Sequence, residues 1–263
     1  MSFSLPSLCL VRSISPHFAQ CIRESDVSID VGRARHQHHH YIETLKQYVP
    51  QVHVLPSLEK HPDCCFIEDT CVMIGDLALI TQPGAPSRQG ETASIKKALP
   101  SALHSVTMTG DALLDGGDVM RVGNSLWVGL SKRTNAAGLR VLRDIAITQG
   151  LQVEGVHVNK GLHLKSACTV VDGQMIVYDP DALAPEDCPP SEYTLLPVPE
   201  PLGANILPLG DTILVSSTAP ETKKLLSKRG HRIHTVDVSE LHKGDGALTC
   251  LSLRIAPAQQ WSP

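Results

Sequence analysis

Cys71-Val72-Met73-Ile74-Gly75-Asp76-Leu77-Ala78-Leu79-Ile80 is a pair of four-residue apolar runs hinged on Gly-Asp. Runs this short, rich in branched aliphatics and broken by a turn pair, predict a β-hairpin, because a two-residue turn needs positive φ and glycine supplies it at no steric cost. The same pattern recurs at Val119-Met120-Arg121-Val122 / Gly123-Asn124 / Ser125-Leu126-Trp127-Val128. It returns at Cys168-Thr169-Val170-Val171 / Asp172-Gly173 / Gln174-Met175-Ile176-Val177, and at Asn205-Ile206-Leu207-Pro208-Leu209 / Gly210-Asp211 / Thr212-Ile213-Leu214-Val215.

Three of the hairpins are followed by a helix-like stretch, at 91–98, 136–148 and 221–227, and then by a short strand, at 105–108, 153–158 and 233–236. The third hairpin is the exception: residues 179–192 are rich in Pro and Asp and read as loop. The turns lie roughly 40–50 residues apart, a period that signals stacked units or a propeller-like ring. Residues 8–11, the helix-like 31–48 and residues 52–55 form most of one more unit, and 249–255 supplies its missing strand. Five units joined through both termini leave no exposed sheet edge. The expectation is an α/β protein, a five-fold pseudosymmetric αβ propeller whose ring is closed by the N- and C-terminal strands, in one domain spanning 1–263.

At 42% hydrophobic and 19% charged, the 263 residues suit a globular enzyme and not a disordered chain. A net charge of −4 gives no basic field for nucleic acid, and no apolar stretch reaches the ~18 residues of a membrane span. The acid-free residues 1–23 have the composition of a transit peptide, but Leu8-Cys9-Leu10-Val11 reads as a buried strand. The eight cysteines, 9, 21, 64, 65, 71, 168, 188 and 250, show no CxxC spacing, which argues against a zinc ribbon or redox pair and for the cytoplasm. His36-Gln37-His38-His39-His40 reads as a solvated helix face.

The polar residues ahead of the hairpins carry the chemistry. They are Asp63, Glu68 and Asp69, then Asp115 and Asp118, then His163, and last Cys250. One by one these residues suit caps, turns and core. Gathered on a common axis, they make a nucleophile–base pair ringed by carboxylates, which suits a cationic substrate.

The chain resembles the dimethylarginine dimethylaminohydrolases of the guanidino-group-modifying pentein superfamily. Six segments carry the likeness in the family's order: Phe66-Ile67-Glu68-Asp69, Thr81-Gln82-Pro83-Gly84-Ala85-Pro86-Ser87-Arg88, Leu114-Asp115-Gly116-Gly117-Asp118, Gly129-Leu130-Ser131-Lys132-Arg133-Thr134-Asn135, Gly161-Leu162-His163-Leu164-Lys165-Ser166 and Asp245-Gly246-Ala247-Leu248-Thr249-Cys250. The resemblance implies hydrolysis of Nω-methylated arginines to citrulline and a methylamine through a covalent Cys thiouronium. It implies Cys250 as nucleophile, His163 as general acid and base, and Asp115 as the residue that orients His163. Glu68 and Asp69 would hold the guanidinium, and Arg88 and Arg133 the substrate carboxylate, in loops away from those carboxylates. Asp63 and the backbones of Ile22 and Gly244 would take the α-amino group. Gly244 and Ile22 depart from the family's bulky apolar residue and Leu.

Arginine and agmatine deiminases typically place an Asp two residues after the histidine, where this chain has Lys165; its loss leaves room for N-methyl groups. No cofactor or metal is expected. The partner is a small molecule, not nucleic acid or membrane, and the enzyme a monomer or homodimer. The alternatives are a deiminase of unmethylated arginine or a related guanidine, and a binding protein that keeps the fold without catalysis.

Overall fold

The computed structural model describes residues 5–189 and 191–257. Along the chain come β1 (Leu8–Arg12), α1 (Val31–Tyr48) and β2 (Gln51–Leu55), followed by β3 (Cys71–Ile74), β4 (Leu77–Ile80), α2 (Thr92–Ala98) and β5 (His104–Thr107). Next are β6 (Val119–Val122), β7 (Ser125–Leu130), α3 (Ala136–Thr148) and β8 (Gln152–His157). Then follow α4 (Leu164–Ala167), β9 (Cys168–Val170), β10 (Met175–Tyr178), β11 (Thr194–Pro197), β12 (Leu207–Leu209), β13 (Thr212–Ser216), α5 (Pro220–Ser227) and β14 (Arg232–Val236). The last are α6 (Ser239–His242) and β15 (Leu253–Ile255).

The strands form five separate three-stranded sheets, not one continuous sheet. Each has an antiparallel hairpin and a third strand that returns parallel to the hairpin's second strand, as in β3–β4–β5 and β6–β7–β8. The fifth sheet is assembled from the two ends: β15 pairs antiparallel with β1, and β2 pairs parallel with it. The expected unit from both termini is therefore present.

Gly75, Gly123 and Gly210 have φ of 67°, 58° and 62°, as the turn pairs required. The third hairpin differs. Its connection is longer, and the Asp172 carboxylate closes it by accepting the Gln174 N–H at 2.8 Å. Between β10 and β11 the described residues of the third unit hold only a 3-10 turn at Pro185–Asp187, in line with the Pro- and Asp-rich loop expected there, but the sequence reading missed β11. That strand ends in Pro197, which a sheet edge tolerates because the missing donor is not needed there. The end of the chain is also corrected. Residues 249–251 form a 3-10 turn and only Leu253–Ile255 is strand, so Cys250 sits in the turn ahead of the sheet.

Strand side chains alternate faces, so neighbouring residues enter different cores. Cys9 and Val11 join one cluster with α1, β12 and Leu241 of α6, whereas Leu8 and Leu10 join another with Cys71, Ala78 and Ile80. Val119 packs toward β3 and β4, and Met120 and Val122 toward β9 and β10. A further cluster joins Val177 and Leu196 to Ile213 and Leu226. Every cluster thus binds two units together. The two longest helices are pinned at their starts, Asp30 accepting the Arg33 N–H at 2.9 Å ahead of α1 and Asn135 the Gly138 N–H at 2.8 Å ahead of α3.

Candidate active site

The turns that precede the hairpins pack on one another. Ile67–Thr70 meets both Gly116–Asp118 and Thr249–Leu251, and Leu164–Ala167 meets Gly116–Asp118. Short turns ahead of strands are the natural carriers here, because the sheet behind them fixes the backbone while the side chain is free to point along the unit's end.

His163 is buried, with Nε2 at 2.9 Å from Asp115 Oδ2 and 3.8 Å from Asp69 Oδ1. Burial alone would lower its pKa, but Asp69, Asp115 and Asp118 outweigh it and push the imidazole up to about 9. Asp115 Oδ1 accepts the Gly84 N–H at 2.8 Å, so the carboxylate that grips the imidazole is itself anchored. Asp118 plays a supporting part. Its carboxylate accepts from the Ser131 and Thr134 hydroxyls and from the Leu164 N–H, which ties down the start of the helix after His163. Gly117 is required by closeness: a Cβ there would lie 2.8 Å from the His163 ring and from Asp69 Oδ1.

Asp69 accepts the Gly117 N–H at 2.9 Å and pairs with Arg88. Burial would raise its pKa; His163 and Arg88 prevail and hold it at about 2. Glu68 pairs through Oε1 with Lys165 and Arg254, which hold its pKa below the usual range against burial, and its Oε2 is buried with no partner. Cys250 is buried, and burial together with Glu68 and Asp69 pushes the thiol up to about 12, Lys165 opposing.

The residues expected to take the α-amino group lie around the segment 18–22. Asp63 accepts the Ile22 N–H at 3.0 Å, and Gly244 lies against Cys21 and Phe18, where a Cβ would come within 2.9 Å of Cys21 Sγ. A side chain at 244 would press on Phe18 and Cys21, which occupy that space and would have to shift.

The placement of the arginines is corrected. They do not stand away from the carboxylates: Arg88 is buried against Asp69, Glu91 and the Phe66 carbonyl, and Arg133 lies 3.7 Å from Asp115. A buried guanidinium needs acceptors on all sides, and the carboxylate cluster supplies them. The two differ in one respect: Arg133 Nη1 is buried without a hydrogen-bond partner, and Arg88 is bonded through all three nitrogens.

Asp69, Asp115 and His163 offer three candidate metal-ligand atoms within 4.8 Å of one another, the one such group among the described residues. Asp69 is already engaged by Arg88 and Gly117 and Asp115 by Gly84 and His163, so this group is balanced without an ion. In the histidine run, His36, His39 and His40 are exposed and His38 is buried beside Tyr41.

A family model described as N,N dimethylarginine dimethylhydrolase, eukaryotic, matches residues 13–186. A dimethylarginine dimethylaminohydrolase of Streptomyces coelicolor is 38% identical over 94% of this chain and 96% of its own. The chain belongs to the dimethylarginine dimethylaminohydrolase family. Two solved structures of dimethylarginine dimethylaminohydrolases share its fold. One is a cysteine-to-serine variant from Pseudomonas aeruginosa complexed with citrulline, with a TM-score of 0.89, 27% identity and coverage of 95% of this chain and 100% of that one. The other is a histidine-to-glycine variant in an adduct with S-methyl-L-thiocitrulline, again with a TM-score of 0.89, at 28% identity and the same coverage.

Sequence reasoning missed three charged residues that pair with this cluster. Arg254 and Glu91 sit in positions that read as strand and helix. Lys165 was read for what it replaced, and its partner Glu68 lies 97 residues away. A charged residue inside a short strand was the available signal for Arg254.

Proposed function

We propose that this chain hydrolyses Nω-methylated arginines, dimethylarginine and monomethylarginine, to citrulline and dimethylamine or methylamine through a Cys250 thiouronium. Membership of the family and a relative of the same fold complexed with citrulline support the reaction. The observation that carries the residue assignment is a shared neighbour: the buried Cys250 thiol and the buried His163 imidazole both face Asp69, which favours the protonated form of each.

In the free protein at neutral pH, Cys250 is a thiol and His163 an imidazolium. A substrate guanidinium held by Glu68 and Asp69 neutralises the two charges that keep the thiol protonated, so its proton leaves to water and thiolate attacks the guanidinium carbon. His163 gives its proton to the departing nitrogen, the C–N bond breaks and the neutral amine leaves. The now neutral imidazole takes a proton from water, whose oxygen attacks the thiouronium. Collapse breaks the C–S bond as the hydroxyl proton passes to water, which releases citrulline and returns Cys250 as thiolate. Asp115 orients the ring throughout.

Arg133, with its unpartnered nitrogen, receives the substrate carboxylate, while Arg88, bonded through every nitrogen, holds Asp69 and Glu91 in place; Asp63, Ile22 and Gly244 receive the α-amino group. The five sheets stand as a five-fold αβ propeller in one domain over 1–263, closed by β1 and β15. The cores support that closure, since each joins two units and the five joins run in a cycle through the terminal unit. All eight cysteines are unpaired, which fits a reducing cytoplasm, and the enzyme acts as a monomer or homodimer.

Citrulline release from dimethylarginine, monomethylarginine, arginine and agmatine, measured side by side, tests the reading. Methylated substrates are expected to turn over fastest. Faster turnover of arginine or agmatine makes the chain a deiminase, and no citrulline from any of them leaves a binding protein. Cys250→Ser should abolish turnover and keep the fold; citrulline from that variant would remove Cys250 from its role.

A further inference from the structure

Four of the five units present a chemically assigned residue ahead of their first strand: Glu68 and Asp69 before β3, Asp115 before β6, His163 before β9 and Cys250 before β15. In the remaining unit the residue at this point is Asn205, two positions before β12 and as far from its strand as Asp69 is from β3. Its side chain is buried and used on both ends. Nδ2 donates to the Lys165 carbonyl at 2.7 Å and to the Thr249 hydroxyl at 2.9 Å, and Oδ1 accepts the Thr249 N–H at 3.1 Å.

Those partners are two residues beyond His163 and one residue before Cys250. We propose that Asn205 is a positioning residue that sets the distance between the nucleophile turn and the acid–base turn, resting on the roles proposed for Cys250 and His163.

The geometry favours this over a purely structural role. An amide satisfying any buried backbone would serve stability, but this one bridges the two turns that must act on one carbon, and no backbone hydrogen bond joins residues 163–167 to 247–252. Holding the Lys165 backbone also holds the ammonium that pairs with Glu68, one of the groups facing Cys250 along with Asp69. Asn205 further lines a cavity of about 190 Å³ together with Leu162, Ser166 and Ala247, so the space between and beside the two turns is already open to that cavity at Asn205. Shortening it loosens both turns and admits water beside the thiol.

Asn205→Ala is expected to lower kcat for dimethylarginine about 30- to 100-fold, the cost of a reacting group displaced by ~1 Å, with KM within about threefold of wild type. The pH midpoint for alkylation of Cys250 by iodoacetamide should fall by about one unit, because a hydrated thiolate is less penalised. Alkylation needs no substrate, so it reads the positioning role even where citrulline assays overturn the proposed reaction. Asn205→Asp keeps the acceptor for Thr249 N–H and loses both donors, and Thr249→Val removes only the hydroxyl. They should give an intermediate and a small loss of kcat, and they carry the test if Asn205→Ala does not fold. Folded variants with kcat within twofold of wild type and an unmoved alkylation midpoint would overturn the proposal, whatever their melting temperature.

Discussion

Arg133 and Arg88 are one residue type in one cluster, and their bonding separates their roles. Arg88 is bonded through every nitrogen, to Asp69, Glu91 and the Phe66 carbonyl, so its removal strands two buried carboxylates. Breaking one side of a buried pair typically costs ~3–5 kcal/mol, and Arg88→Ala should lose stability on that order in a denaturant titration and lose kcat through Asp69. Arg133 leaves Nη1 unpartnered beside Asp115, which fits a donor completed by a ligand. A charge-assisted bond contributes roughly 1.5–3 kcal/mol, so Arg133→Ala should raise KM for dimethylarginine about 10- to 150-fold while kcat falls less. Equal discrimination against the decarboxylated analogue by wild type and variant would take Arg133 out of substrate recognition. The motifs named both arginines, but a motif carries residue identity and not the partners a side chain finds across the fold. Asp69 lies 19 residues from Arg88 and Asp115 lies 18 from Arg133, close enough in sequence for the loops to meet yet with no periodicity to reveal it.

At the scale of elements, what the sequence made legible was the hairpin, because its signal is local: two apolar runs and a turn pair. What it hid was the turn ahead of each hairpin, whose conformation is set by contacts with other units. Residues 249–251 read as strand from their apolar composition, and the packing of that turn against Ile67–Thr70 holds them as 3-10 turn instead. The same turns explain Gly117. Gly116–Asp118 passes so close to His163 that a methyl group at 117 overlaps the ring and the Asp69 carboxylate at 2.8 Å. The clash falls on side chains, which can shift, so Gly117→Ala should fold with a modest drop in melting temperature. The shift falls on the catalytic ring, and kcat should drop about 100-fold. Full activity in a folded Gly117→Ala protein would mean that the His163 ring tolerates displacement and that its position is not critical.

Across the whole molecule, five sheets share no backbone ladder, yet their ends share charge. Arg88, Lys165, Arg254 and His163 face Asp69, Glu91, Glu68 and Asp115 in a buried network drawn from four of the five units. The apolar pattern that gave the units is readable because the hairpin strands are largely buried on both faces; the network is not, because its members are single residues and, Arg88–Glu91 aside, their partners lie about 20 to 190 positions away. The network also gives the fold a pH window. Asp69, held at about 2, and Glu68, also lowered, contribute stability above their unfolded values near ~4, and lose it as pH falls through the folded ones. His163 acts in the opposite sense: raised to about 9, it contributes fully below its unfolded value near ~6.5 and loses that contribution as pH rises through about 9. Asp63 and Glu91, pushed up by burial, weaken the fold as they ionise, so a difference between two proteins isolates the histidine. The gap in melting temperature between wild type and His163→Gln should be widest near pH 6 and shrink steadily through pH 8 to pH 10. Glutamine keeps a hydrogen-bond donor for Asp115 and cannot take a proton, so what shrinks is the charge interaction alone. Thermal melts at the three pH values decide it: a constant gap would mean that the imidazole is neutral in the free protein, and the acid that protonates the departing amine would have to be found elsewhere.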